Sequence, residues 1–528
     1  MSYCDRPFSD VKSSFSSVIV SRGILIRYAV APSRSSTVMP SATLPPILIE
    51  TLRRAQDFLR SRGVSCYLVG GLLRDQHLAR PLRSLNVDLA VPSNALPLSR
   101  DLAAALGGAY VTLDEALGSA RVIVSAEHQR IELDVSDFRG PTLEQDLALR
   151  DFTINAMAIS LEAWLMNPLA PLTDPLHGLQ ALSERRLTPC FPRTFEEDPI
   201  RILRAFRFSS QLGFSVDHSV IPLIEKARVR LTTVSGERIR DELLAICDTD
   251  RAAEALRSLN ELLVLDVLFP ELIVGRGVEQ GGYHHLDVLS HELEAVAQAD
   301  RMLSDFAEFS QPLREPLAAH CKSELVDRHS RKALIKLGAL LHDIGKPARR
   351  TVAADGDIWF LGHEQTGAEL AAPITQRLRL SNRESEMVCQ LVLHHLRPGF
   401  LSREPQLTRR AIYRFFKDLG EDGPACLLTW WADRMATRGP KSRLDQVDQQ
   451  RARLEEMLNA YFFKAEEVVK PPRLVDGRQL MQTFQLKSCP LIGELLALIE
   501  EAQAEGKIKT ADEALALARS HLGARPIP

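Results

Sequence analysis

Asn86 and Asp88 sit in a segment, Leu85–Val91, whose alternation reads as a β-strand. Leu85, Val87 and Leu89 face one way, and Asn86 and Asp88 face the other, because strand side chains alternate with period two. Oxygen ligands on one face can hold hard cations that bridge a triphosphate, and magnesium is the expected ion. A third ligand is expected from a neighbouring strand, and Ile131–Val135 offers Glu132 and Asp134 on one polar face. Upstream, Gly70 and Gly71 follow a short apolar run and allow backbone N–H groups to approach a phosphate. Arg74 then supplies a forked cation suited to phosphate oxygens. The chemistry these types suggest is nucleotidyl transfer. Asn86 is a neutral amide where that chemistry expects charge, so it offers a carbonyl oxygen but cannot help neutralise a dication.

The elements that must position these groups follow from periodicity. Cys66–Val69, Val87–Val91, Ala109–Leu113, Arg121–Ser125 and Ile131–Asp137 read as strands, with helices over Pro46–Arg62 and near Pro97–Leu106. This predicts an α+β head with a mostly antiparallel sheet. From about Leu182 onward nearly everything reads as amphipathic helix, with breaks near Pro270–Gly282, Gln311–Pro316 and Arg438–Ser442. At 528 residues the chain is too long for one core. Sixty-five basic residues against 68 acidic give a net charge of −3, so nucleic acid must be met by a local basic face. No apolar run is long enough for a bilayer, and eight cysteines without a CxxC pair suggest reduced thiols and a cytoplasmic location. Residues 1–44, rich in Ser and Arg, are expected to form an extension without a packed core. An organellar transit segment is one reading of it; a start at Met39 is another.

Six motifs in order carry a resemblance. Leu68–Val91, Asp134–Arg139, Arg150–Ala156, Asp174–Gly178, Glu197–Arg207 and Ser235–Leu243 together resemble the class II tRNA nucleotidyltransferase and bacterial poly(A) polymerase family. The resemblance implies a polymerase-β-like head in which Asp88 and Asp134 hold Mg2+, with Asn86 a weakened third ligand. It implies a nucleotide site made of Gly70, Gly71, Arg74, Arg150, Asp151, Asn155, Asp198, Arg201, Arg204 and Arg207. Asp151 and Asn155 are expected near the ribose. Asp198 and Arg201 lie three apart, which on a helix puts them on one face, where they read the base of CTP or ATP; Arg204 and Arg207 continue that face towards phosphate. The chain departs from the family pattern at Asn86, where the family has the first aspartate of its metal pair, and at Leu149 and Ala181.

Segments further along the chain carry resemblances of their own. Gly282–His291, Leu337–Pro347 and Trp430–Arg434 resemble the HD phosphohydrolase superfamily, which implies a divalent metal held by His291, His342, Asp343 and Asp433. His363 and the His394–His395 pair are candidates for a second ion or for phosphate contacts. Val475–Leu480, Pro490–Gly493 and Glu501–Gly506 resemble the helical tail that holds tRNA in the first family. The expected organisation is an extension over 1–44, a head over 45–180, a helical neck over 181–270, an HD domain over 271–438 and a tail over 439–528. The expected function is template-independent addition of CCA, or part of it, to tRNA 3′ ends from CTP and ATP. Poly(A) addition and CC-only or A-only addition remain alternatives, as do a metal-dependent hydrolase and a non-catalytic RNA-end-binding protein.

Overall fold

The computed structural model describes residues 44–523 except 83, 127–128 and 326–328. The N-terminal extension, with both readings of it, therefore lies outside the described residues.

The alternating segments pair into a six-stranded sheet: β1 (Tyr67–Val69), β2 (Leu85–Val91), β3 (Ala109–Asp114), β4 (Ser119–Ala126), β5 (Gln129–Asp137) and β6 (Ala158–Ser160), in the order β3-β4-β5-β2-β1-β6. All neighbouring pairs are antiparallel except the central β2–β5 pair, which is parallel. That pair sets Asp88 against Asp134 and Asn86 against Glu132, and β4 sets Arg121 against Asp134. Registered partners project to the same face, so one face carries Arg121, Asp134, Asp88, Glu132 and Asn86 side by side. The opposite face buries Val87, Leu89, Val122, Leu133 and Val135 against the helices Pro46–Ser61 and Ala95–Leu106. The second helix starts at Ala95, earlier than the pattern predicts. Asn94 adopts φ +65° and the Asp137 carboxylate accepts the Ala95 N–H at 2.7 Å, a cap from a distant strand.

Beyond residue 182 the chain is helical as expected, with two small exceptions that local pattern did not show. Arg186–Leu187 pairs in parallel with Ser215–Val216, and Thr351–Val352 forms a hairpin with Ile358–Trp359. Gln311–Pro316 is not a break but the start of a helix, Gln311–Lys322, with Pro at its first turn. The turn precedes it, where Phe306 takes φ +54°. One continuous core runs from Phe152 to Val468, and a separate small core joins Val475, Leu480, Ile492, Leu495 and Ile499 in the C-terminal helices.

Candidate active site and metal centre

A cleft of about 640 Å³ opens where β1, β2 and the helix Gly71–His77 meet the helix Arg201–Leu212. Its lining unites Gly70, Gly71, Arg74, Asn86, Asp88, Arg150, Asp151, Asn155, Asp198, Arg201, Arg204 and Arg207, residues scattered over 138 positions of sequence. Eight arginines and four aspartates line it, so a chain of net negative charge encloses a basic cleft. Gly70 turns into the helix at φ +74°, and a Cβ there would stand 2.6 Å from the Asp88 carboxylate. Glycine is what lets the strand-to-helix turn pass directly over the acid.

The arginines are held in place. Arg74 donates to Asn155 Oδ1 at 2.9 Å and to Asp75 at 2.8 Å, and Asn155 donates to Asp151 at 3.2 Å. Arg204 forks onto Asp151 at 2.7 and 2.9 Å, and Glu242 bridges Arg204 (3.3 Å) and Arg207 (2.5 Å). Burial alone would raise the Asp151 carboxyl, but Arg204, with hydrogen bonds from the Phe152 N–H and Asn155, holds it well below the usual carboxylate range. Phe208 lies under the guanidinium groups of Arg74, Arg204 and Arg207, at 4.2 to 5.4 Å from the ring centroid. Arg204 and Arg207 are thus anchored to acids while they line the cleft.

The expected helix face shared by Asp198 and Arg201 is corrected by the structure. Asp198 is extended, at φ −140°, and the helix begins at Arg201. Pro199 stands between two short helices rather than inside one. The two side chains still meet, at 3.9 Å, because Thr194 and the carbonyl of Leu149 hold the Arg201 guanidinium at 2.7 and 3.2 Å. Arg238, from the neck helix Gly236–Cys247, grips Asp198 at 2.8 Å. Sequence reasoning missed Arg238, Thr194 and Glu242. The first and last lie in the quoted Ser235–Leu243 motif, but only the tertiary fold gives them partners.

The acidic pair is only partly as expected. Asp88 and Asp134 share a face on adjacent strands, yet the cleft lining includes Asn86 and Asp88 and not Asp134. Arg121 forks onto both oxygens of Asp134, at 2.6 and 2.8 Å, and its third nitrogen reaches Glu132 at 2.8 Å. Breaking such a largely buried pair costs about 3–5 kcal/mol. Asn86 donates to Asp134 at 3.3 Å, and its own Oδ1 is buried without a partner. Burial, followed by the Asp134 charge, raises the Asp88 carboxyl above its usual range. Asp88 and the unpartnered Asn86 carbonyl oxygen are therefore the groups left to hold a cation. Asp134, expected as the second ligand, has both oxygens engaged by Arg121 in this structure.

The HD residues converge fully. His291, His342 and Asp433 form one group and Asp343, His363 and His395 a second, with donor atoms in each within 4.8 Å of one another. They come from five separate stretches of helix and turn. Asp343 joins the groups: Oδ2 lies 3.1 Å from His342 Nε2 and 3.5 Å from His291 Nε2, while Oδ1 lies 3.2 Å from His363 Nε2. His342, His363 and His395 each donate Nδ1–H to the carbonyl three residues back, at 2.7 to 2.8 Å. This turns every Nε2 towards the centre, as metal-binding imidazoles require. His342 Nε2 is buried and makes no hydrogen bond of good geometry. The donor set fits divalent cations, which His291, His342 and Asp433 on one side and Asp343, His363 and His395 on the other would hold. His394 stays outside the cluster. Lys346 also reaches Asp343, at 2.5 Å, and was not foreseen; nor were the His284 ring, packed edge-to-face against His291, and the aromatic mouth formed by Tyr283, Trp359 and Phe400.

Among the described residues no helix is long and apolar enough to cross a membrane. Residues 66–188 match the Poly A polymerase head domain, 213–274 the probable RNA and SrmB-binding site of polymerase A, and 313–418 the HD domain. The chain is 34% identical to the A-adding tRNA nucleotidyltransferase of Deinococcus radiodurans, over 85% of this chain and 94% of that one. It is 31% identical to the CC-adding tRNA nucleotidyltransferase of Thermus thermophilus, over 85% and 92%. The fold matches a solved CCA-adding enzyme in complex with ATP, with a TM-score of 0.60 at 20% identity over 91% of this chain and 96% of that one. Identity of this extent along nearly the whole chain, on top of the assembled cleft, makes this protein a member of the tRNA nucleotidyltransferase family.

Proposed function

We propose that the chain adds CCA, or part of it, to tRNA 3′ ends from CTP and ATP without a nucleic-acid template, in the cytoplasm. The observation that carries this reading is the basic cleft, which places a glycine turn, Arg74, Asp88 and the Asp198–Arg201 pair around one volume. The names of relatives that match nearly full length, A-adding and CC-adding, favour partial addition over the whole trinucleotide. Poly(A) addition is the alternative product.

In this reading the backbone at Gly70–Gly71 and the Arg74 guanidinium take the triphosphate, and Asp151 with Asn155 orders the ribose side. Asp198 presents acceptors and Arg201 donors to the base edge, so protein replaces a template. Asp88 and the Asn86 carbonyl oxygen would hold Mg2+, which when bound offsets phosphate charge and acidifies the attacking 3′-hydroxyl. The test incubates purified protein with tRNA ending before CCA, at its first base or at CC, with CTP and ATP separately and together. Product length and composition separate CCA, CC-only, A-only and poly(A) addition. No extension of any of the three tRNAs would sink the proposal.

The six converging His and Asp side chains favour a second activity, hydrolysis of phosphoesters at the HD centre. A divalent ion there supplies Lewis acidity and an activated water. Lys346 is placed for phosphate charge, and Trp359 and Phe400 at the mouth offer faces on which a base can stack. Release of product from a 2′,3′-cyclic nucleotide, abolished by His342→Ala, is the expected result.

A further inference from the structure

The face that carries Asp88 also carries a cation of the protein's own. Arg121 on β4, Asp134 on β5 and Asp88 on β2 occupy one rung of the sheet, and Glu132 and Asn86 occupy the rung beside it. Three nitrogens of Arg121 are committed, two to Asp134 and one to Glu132. Arg130 holds the other oxygen of Glu132 at 2.7 Å. Two arginines therefore neutralise two carboxylates, and Asp88 is left as the one acid of this face that lines the cleft. Asn86, where a charge would attract another ion, is neutral and donates to Asp134.

Polymerising centres commonly pair two divalent ions about 3.5–4 Å apart, one at the attacking and one at the leaving oxygen. Such a pair needs carboxylates that bridge. Here Asp134, the second carboxylate of the expected pair, is engaged on both oxygens by a guanidinium, and its neighbour Asn86 is an amide. We propose that Arg121, by holding Asp134, withdraws that carboxylate from metal binding, so that this head takes a single divalent ion with each nucleotide. Arg121 is a positioning residue: it fixes Asp134, and through Asp134 it orients the Asn86 amide, whose unpartnered carbonyl oxygen would serve the remaining ion. The inference rests on the nucleotidyl-transfer reading of the cleft, but its readout is ion count rather than turnover.

The experiment counts Mn2+ bound per chain by electron paramagnetic resonance, with and without a non-hydrolysable ATP analogue. Only the nucleotide-dependent ions are scored, which leaves out the HD centre. The wild-type chain should take one. Asn86→Asp should hold that one ion severalfold more tightly. The double variant Asn86→Asp with Arg121→Ala should take two. Arg121→Lys with Asn86→Asp, which keeps the charge, should stay at one. Two ions in the wild-type chain overturn the inference without touching the function, as does one ion in a double variant that melts and binds the analogue like wild type. Should the double variant fail to fold, the wild-type count still decides. Failure of the wild-type chain to bind the analogue or any nucleotide-dependent ion overturns the functional reading as well.

Discussion

Asn86 sets how strongly the head can act. A carbonyl oxygen in place of a carboxylate leaves Asp88 as the one acid of this sheet face that lines the cleft, since Arg121 engages Asp134. Restoring charge with Asn86→Asp is expected to raise nucleotide incorporation severalfold under single-turnover conditions. An unchanged rate would show that position 86 does not face the ion. Gly70 is the other residue on which this site turns. Gly70→Ala would force a side chain at φ +74° against the Asp88 carboxylate, at a cost on the order of 1–3 kcal/mol. ATP affinity should fall at least tenfold while the HD activity is retained; equal loss of both would point to general unfolding instead.

At the scale of elements, the neck helix Gly236–Cys247 serves two neighbours. Through Arg238 and Glu242 it steadies Asp198, Arg204 and Arg207; through Asp241 it meets His329, which also bonds Glu384 on the helix Asn382–His394 at 2.7 Å. Burial would lower the His329 imidazolium, but Asp241 and Glu384 outweigh it and hold it at about 9. A folded-state value above the unfolded one, about 6.5, means that the contribution is complete below pH 6.5. It is then lost as pH rises towards 9. Melting temperature measured from pH 6 to 9.5 should therefore fall across that window, by the equivalent of about 1 kcal/mol after allowance for partial exposure. His329→Gln should flatten the profile, and parallel curves for the two proteins would exclude this linkage.

In the whole molecule, two clefts coexist and share no lining residue. His342→Ala should remove bound metal from the HD centre and abolish phosphoester hydrolysis, with nucleotide incorporation within about twofold of wild type. Metal content by mass spectrometry reads the first effect and the tRNA assay the last. A large loss of incorporation would reveal coupling between the two centres through the continuous core that runs from Phe152 to Val468. The cations of the helix Arg409–Leu419 are already engaged: Arg410 pairs with Glu501 at 2.6 Å, Arg409 with Glu467 at 3.8 Å, and Lys417 lies over Tyr413. The arginines of the head cleft offer the denser basic surface.

Period-two alternation was enough to place Asn86 with Asp88 and Glu132 with Asp134, because the pleat alone decides which side chains share a face. Ordered short motifs were enough to pick out the residues that gather around the head cleft, and His291, His342, Asp343 and Asp433, because each motif carries its chemistry within a few residues. What no local pattern contains is a partner from a distant segment. That Arg121 takes Asp134, that Arg238 takes Asp198 and that His395 rather than His394 turns inward depends on strand register and helix rotation. Those are fixed when β2 and β5 align in parallel and the helices pack on one core, and they determine which charges meet.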